Sequence, residues 1–253
     1  MADRWLTYAW LSYKGLYTWL NPWGYLSSRV VRPIAVCLLF LPLGGNDEAA
    51  MLRLLIGSTL LVMATDVVFG VALAVGNERS FGTLGTVIAS PVGLPATLAA
   101  RAFPHVVDSF LGSVTTAVIA AAVYDIPLTP GQIARGVLAL VVVGVSSTGV
   151  GIAVSSVALR FRDVFLAPNI ARVVLIALSG ALVSAGDLPE WLGVVSGALP
   201  IHHAITYVLG VPDGRAFALV LELAVGAAWA TAGYVLVGLM IRSGRRAATV
   251  DLT

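Results

Sequence analysis

The sequence predicts an all-α membrane protein with six transmembrane helices. An interfacial helix precedes them, a short helix follows the second span, and a re-entrant segment separates the fifth from the sixth. Three observations lead there. Hydrophobic residues make up 58% of the 253-residue chain and charged residues 11%, where a soluble domain carries roughly 25% charged residues. Apolar runs of about 20 residues recur along the whole length, each able to cross ~30 Å of hydrocarbon as a helix. The basic residues also fall mainly on one side of the alternating spans, as the positive-inside rule requires.

The elements follow in chain order. Residues 3–20 are crowded with Trp5, Tyr8, Trp10, Tyr13, Tyr17 and Trp19. Such rings prefer the headgroup region, so this stretch is expected to lie in the membrane interface. No basic stretch followed by a continuous apolar core opens the chain, so a cleavable leader is not expected. Span one covers about 24–43, with Arg29 and Arg32 able to snorkel at its start. Span two covers about 51–75, span three about 97–123, span four about 133–158, span five about 165–185 and span six about 216–241. Asp125-Ile126-Pro127-Leu128-Thr129-Pro130-Gly131 reads as a loop from its prolines and glycine. Span four is rich in Gly and Ser, which let helices approach closely.

Orientation follows from charge. With both termini cytoplasmic, only Arg53, Arg135 and Arg215 of the 15 basic residues fall on the outer side. This predicts a multi-pass plasma-membrane protein with both termini cytoplasmic. The net charge of +2 gives no support to nucleic-acid binding, and the single cysteine, Cys37, excludes a disulfide framework within the chain.

The chemistry the chain can carry is limited. Its only lysine, Lys14, lies between Tyr13 and Gly15, so a phosphate-binding loop ending in Gly-Lys-Ser/Thr is absent. An ion-coupled carrier would need ionisable groups at membrane depth. Asp66, His105 and Asp108 are the candidates, the last two sharing a helix face at a spacing of three. They read either as a polar path or proton relay, or as polar groups bonded across helices. Gly144-Val145-Ser146-Ser147 resembles the serine motif of rhomboid proteases. That reading needs a histidine at matching depth, and His202 and His203 lie in the outer segment, so close packing explains the serines better. No third ligand joins the two histidines, so no metal is assigned to them.

Two stretches carry a sharper signal. Asn77-Glu78-Arg79-Ser80-Phe81-Gly82-Thr83-Leu84 runs on to Pro91. Asn77 or Ser80 is suited to cap a short helix and Pro91 to stop it. Phe81, Leu84, Val87 and Ile88 recur at helical spacing. The second stretch, 187–210, is too polar to span simply and too apolar for a solvated loop. Pro189 and Pro200 divide it into two short pieces. One holds Trp191, the other His202 and His203.

Together these stretches resemble the ABC type-2 permease family, the membrane subunits of drug, lipid and polysaccharide exporters. Glu78, Gly82, Thr83, Leu84 and Pro91 match the family's Glu … Gly-Thr-Leu … Pro pattern, and Leu188-Pro189-Glu190-Trp191-Leu192 its outer Leu-Pro-x-Trp-Leu pattern. Leu199-Pro200 stands where the family has Asn-Pro. The resemblance implies a cytoplasmic coupling helix at 77–91 that docks on an ATPase, and an outer gate at 187–210 formed by Pro189, Trp191, Pro200, His202 and His203. It implies ATP and Mg²⁺ on separate ATP-binding-cassette ATPase subunits, no cofactor on this chain, a second permease copy or a related chain, and lipid contact. The cargo implied is an amphiphilic drug, antibiotic, lipid or lipid-linked glycan. The chain would then be no enzyme itself.

Overall fold

The structure is a computed structural model. It describes residues 7, 10, 22–27, 31–83, 85, 94–158, 163–183, 189–210 and 214–247. The helices, in order, are α1 (Pro22–Leu26), α2 (Arg32–Phe40), α3 (Glu48–Ser80), α4 (Leu94–Val123), α5 (Pro130–Ala158), α6 (Leu166–Leu178), α7 (Glu190–Gly197), α8 (His202–Leu209) and α9 (Arg215–Ala247). A 3₁₀ turn, Leu41–Gly44, extends α2. Among the described residues there is no strand.

Helix α3 is the axis of the molecule. Its 33 residues extend about 50 Å at 1.5 Å per residue. Apolar residues surround it, as a helix buried on all sides requires. Helices α4, α5 and α6 pack against it, and α9 packs against α5. Leu60, Met63, Ala64, Val67, Val68 and Val71 of α3 form the centre of the core. Its start is capped by Asp47, whose side chain accepts from the Ala49 N–H at 2.9 Å.

Helix α5 starts with a capping box. The Thr129 N–H donates to Gln132 Oε1 at 2.8 Å, and the Gln132 N–H returns a bond to Thr129 Oγ1 at 3.3 Å. Pro130 occupies the first helical position, where its missing N–H is no loss. Further along, α5 and α9 meet backbone to backbone. A Cβ on Gly226 would fall 2.5 Å from Ser146 Cα, and one on Gly149 would fall 2.2 Å from the Gly226 carbonyl oxygen. Only glycine permits that approach. The small residues foreseen in span four do this work.

Among the described residues, four helices are long and apolar enough to cross a membrane: Glu48–Arg79, Thr97–Val123, Pro130–Val157 and Arg215–Met240. Their outward faces carry large apolar side chains such as Leu111, Val118, Phe217 and Val235, a surface suited to lipid rather than water. A bent pair, Glu190–Gly197 with His202–Leu209, counts as a fifth crossing if it is one broken span.

Among the described residues the helices thus account for four or five of the six spans expected. Span five, expected at 165–185, is a helix of 13 residues, about 20 Å long and short of ~30 Å of hydrocarbon. It stops because Ser179 and Gly180 bend the chain, with Gly180 at φ +76°. Span one is described only as α1, α2 and the 3₁₀ turn, with residues 28–30 outside the described residues. Of the interfacial helix expected at 3–20, Thr7 and Trp10 are described, both helical.

Candidate functional site

The first part of the Glu78 motif, Asn77 to Ser80, is the last turn of α3. Helix α3 continues through Ser80, so Asn77 and Ser80 do not open a new helix. Phe81 N–H donates to Asn77 O, Gly82 N–H to Arg79 O, and Thr83 N–H to Glu78 O, at 2.9, 3.1 and 2.9 Å. The last two bonds form the Schellman pattern that terminates helices, with its left-handed residue at Gly82, φ +67°. Glycine is required there because a Cβ is strained at that φ.

Glu78 holds this end together. Its carboxylate forms an ion pair with Arg101 of α4 through Oε1, and Oε2 accepts from Thr83 Oγ1 at 2.5 Å. Arg101 Nη1 also donates to the Ala74 carbonyl at 3.2 Å. One carboxylate thus joins α3, α4 and the chain leaving α3. Phe81 stands at the tip with 65% of its surface exposed. Gly85 is helical, while Leu84 and Pro91 lie outside the described residues.

At the other end of α3, Arg53 Nη2 donates to the Gly180 carbonyl at 2.9 Å. Gly180 in turn faces Ser196 and His202, so the bent pair sits at the Arg53 end. Helices α7 and α8 meet at 91°. Pro189 is the residue before α7, and its carbonyl accepts from Leu192 N–H and Gly193 N–H. Trp191 is exposed, whereas Pro200 is buried at the break. Among the pieces foreseen as apolar, Ile205 and Val208 are buried but Val194 is exposed.

The histidines stitch this break. His202 Nδ1 is 3.0 Å from Ser196 Oγ. His203 Nε2 donates to the Gly197 carbonyl at 3.0 Å, and the two rings meet edge to face. Neither bond reaches Ser146 or Ser147, which are fully buried on α5. The arrangement a serine protease needs is not formed.

Asp66 on α3 and His105 and Asp108 on α4 are all buried. The His105 ring lies against Gly70: a Cβ there would fall 2.2 Å from Nδ1. That contact packs α3 closely against α4 at this ring. Among the described residues no cluster of three His, Cys, Asp or Glu is placed to hold a metal ion.

The sequence reading missed two residues of consequence. Arg101 was counted only as a basic residue near a helix end. Glu222 of α9 was not singled out. It is 0% exposed, and its carboxylate accepts from Ile201 N–H at 3.0 Å through Oε1 and from Ala204 N–H at 3.2 Å through Oε2. These N–H groups open α8, where no intrahelical acceptor exists. Two turns on, Trp229 Nε1 donates to the Ala198 carbonyl at 2.8 Å. The missed signal was a lone carboxylate within a span, the kind of residue that is rare in membranes and functional by default.

A helical chain with lipid-compatible outer faces, and with polar chemistry gathered at both ends of one axial helix, is an integral membrane protein of the transporter kind. A family model for ABC-2 type transporters matches residues 8–211, and the chain belongs to that family. It is similar to two relatives, each a probable multidrug ABC transporter permease YbhR, from Escherichia coli strain K12 and Escherichia coli O157:H7. Both are 26% identical over 147 residues, which is 57% of this chain. The matched stretch spans 40% of each relative's length.

Proposed function

We propose that this chain is the permease subunit of an ATP-binding-cassette exporter in a bacterial plasma membrane, driven by separate ATPase subunits that hold ATP and Mg²⁺. The observation that carries the reading is the Glu78 end of α3 in a chain of this family. An axial helix terminates there in an Arg101-braced cap that presents Phe81 outward. A helix that runs the depth of the molecule and ends in an exposed aromatic is suited to receive motion from a docked partner. In this reading 77–91 forms the coupling element and the bent pair at 187–210 closes the outer end of the path. The chain crosses six times, with α2 and α6 as the short members. A second permease subunit completes the path, and the names of the relatives point to drugs as cargo.

The test is to purify the chain together with the ATP-binding-cassette ATPase that copurifies with it. Drug efflux from cells and ATPase activity in lipid vesicles are then compared between the parent and Gly82→Pro. Loss of both, with normal membrane insertion, is expected. Undiminished efflux by Gly82→Pro would sink the coupling assignment.

A further inference from the structure

We infer that Glu222 is the positioning residue that holds the bent pair closed, an inference that rests on reading that pair as the outer gate. Glu222 is the one carboxylate in α9, about 11 Å from its start at 1.5 Å per residue. Both of its oxygens are committed to α8, one on the N–H of Ile201 and one on that of Ala204. The residue it grips is strained. Ile201 is a β-branched residue at φ +93°, fully buried, in a region such residues rarely enter. Strain of that kind persists only where surrounding contacts over-determine it.

Helix α9 supplies those contacts on both sides of the break. Glu222 takes the first N–H groups of α8, and Trp229 takes the Ala198 carbonyl just beyond α7. Between them on the same face is Gly226, seated on Ser146 of α5. The two grips and the tightest seat of α9 therefore share one stripe of one helix. A shift of α9 along α5 moves both grips together. Withdrawing the carboxylate leaves two buried N–H groups without an acceptor and releases Ile201 to an ordinary conformation. The α7–α8 angle of 91° is then held within the pair only by the histidine bonds to Ser196 and Gly197, and the segment opens more readily.

The test uses the protein in lipid nanodiscs, where both faces are accessible, in a Cys37→Ser background. Val208→Cys reports on α8 and Val71→Cys on the core of α3, both positions being 1% exposed in the parent. The readout is the labelling rate with a water-soluble maleimide. Glu222→Gln keeps the shape but replaces one acceptor by an N–H donor. It should speed labelling at 208 by about tenfold or more and leave position 71 unchanged. Adding Ile201→Gly removes the strain and should return the rate at 208 toward the parent's, which a merely destabilised fold would not do. If Glu222→Gln fails to insert, Trp229→Phe removes only the second grip and should give a smaller rise at 208 alone. An unchanged rate at 208, an equal rise at both reporters, or no slowing by Ile201→Gly would overturn the assignment. A separate arm adds the ATPase partner and ATP to the parent. If ATP leaves the rate at 208 unaltered while the Glu222→Gln effect stands, the exporter reading fails and the clamp survives.

Discussion

Gly82 carries two demands that few residues meet together. Its φ of +67° disfavours a side chain by roughly 1–2 kcal/mol, and its N–H is bonded to Arg79. Proline violates both, since its φ is held near −65° and it has no N–H. We therefore expect Gly82→Asn to retain most efflux, Gly82→Ala to lose part, and Gly82→Pro to lose nearly all. Equal activity across the three would show that the cap is irrelevant to transport. The Glu78–Arg101 pair makes a second prediction. Both side chains are mostly buried, so each single charge removal strands its partner. A double-mutant cycle on thermal unfolding, using Glu78→Gln and Arg101→Gln, should return a coupling on the order of 1 kcal/mol. Additive effects would mean the pair is incidental. The motif was legible in the sequence, but its local role was not. Asn77 and Ser80 are good helix starters, yet they lie in the last turn of a helix whose stop signal is Gly82. Arg101 was invisible as a partner because it is 23 residues away, on another helix whose packing only the fold supplies.

Elements were easier to read than their ends. Four apolar runs became full-length helices because continuous hydrophobicity over more than 20 residues leaves few alternatives. Span five was expected to run past Ser179-Gly180 because Ala181-Leu182-Val183 keep the sequence apolar beyond the point where the backbone turns. Glu222 was overlooked for a related reason: one carboxylate barely changes the character of a 26-residue span. The α5–α9 contact makes the prediction at this scale. Gly226 has no room for a side chain, whereas Gly238 on the same helix has nothing within 4 Å of where a Cβ would stand. Gly226→Leu must push α9 away from Ser146, an overpacking that should destabilise the protein by about 3 kcal/mol. Gly238→Ala should be neutral or slightly stabilising, since alanine favours a helix by about 1 kcal/mol over glycine. Unfolding of detergent-solubilised protein, followed by its tryptophan fluorescence, measures both. Similar midpoints for the two variants would refute the close-packing account.

At the scale of the whole molecule, the two candidate sites occupy opposite ends of α3. Arg53 joins the Gly180 bend at one end, beside Ser196 and His202. Glu78 joins Arg101 at the other. The 25 residues between Arg53 and Glu78 extend about 37 Å as a helix, more than the ~30 Å of the hydrocarbon layer. A helix of that length, predominantly apolar and surrounded by its neighbours, is long enough to place one end on each side of the membrane. On the reading we propose, the Glu78 end is the cytoplasmic one, since Arg79 and Arg101 lie there and basic residues favour the inner side. The prediction is that single cysteines at Thr83 and Trp191, both exposed, react with a membrane-impermeant thiol reagent from opposite sides of sealed vesicles. In the Cys37→Ser background, Trp191→Cys should label in right-side-out vesicles and Thr83→Cys only in inverted ones. The reverse pattern would keep the span and invert the assignment of inside and outside. Labelling of both from one side would mean that α3 does not cross, and coupling at one end could then not be paired with gating at the other.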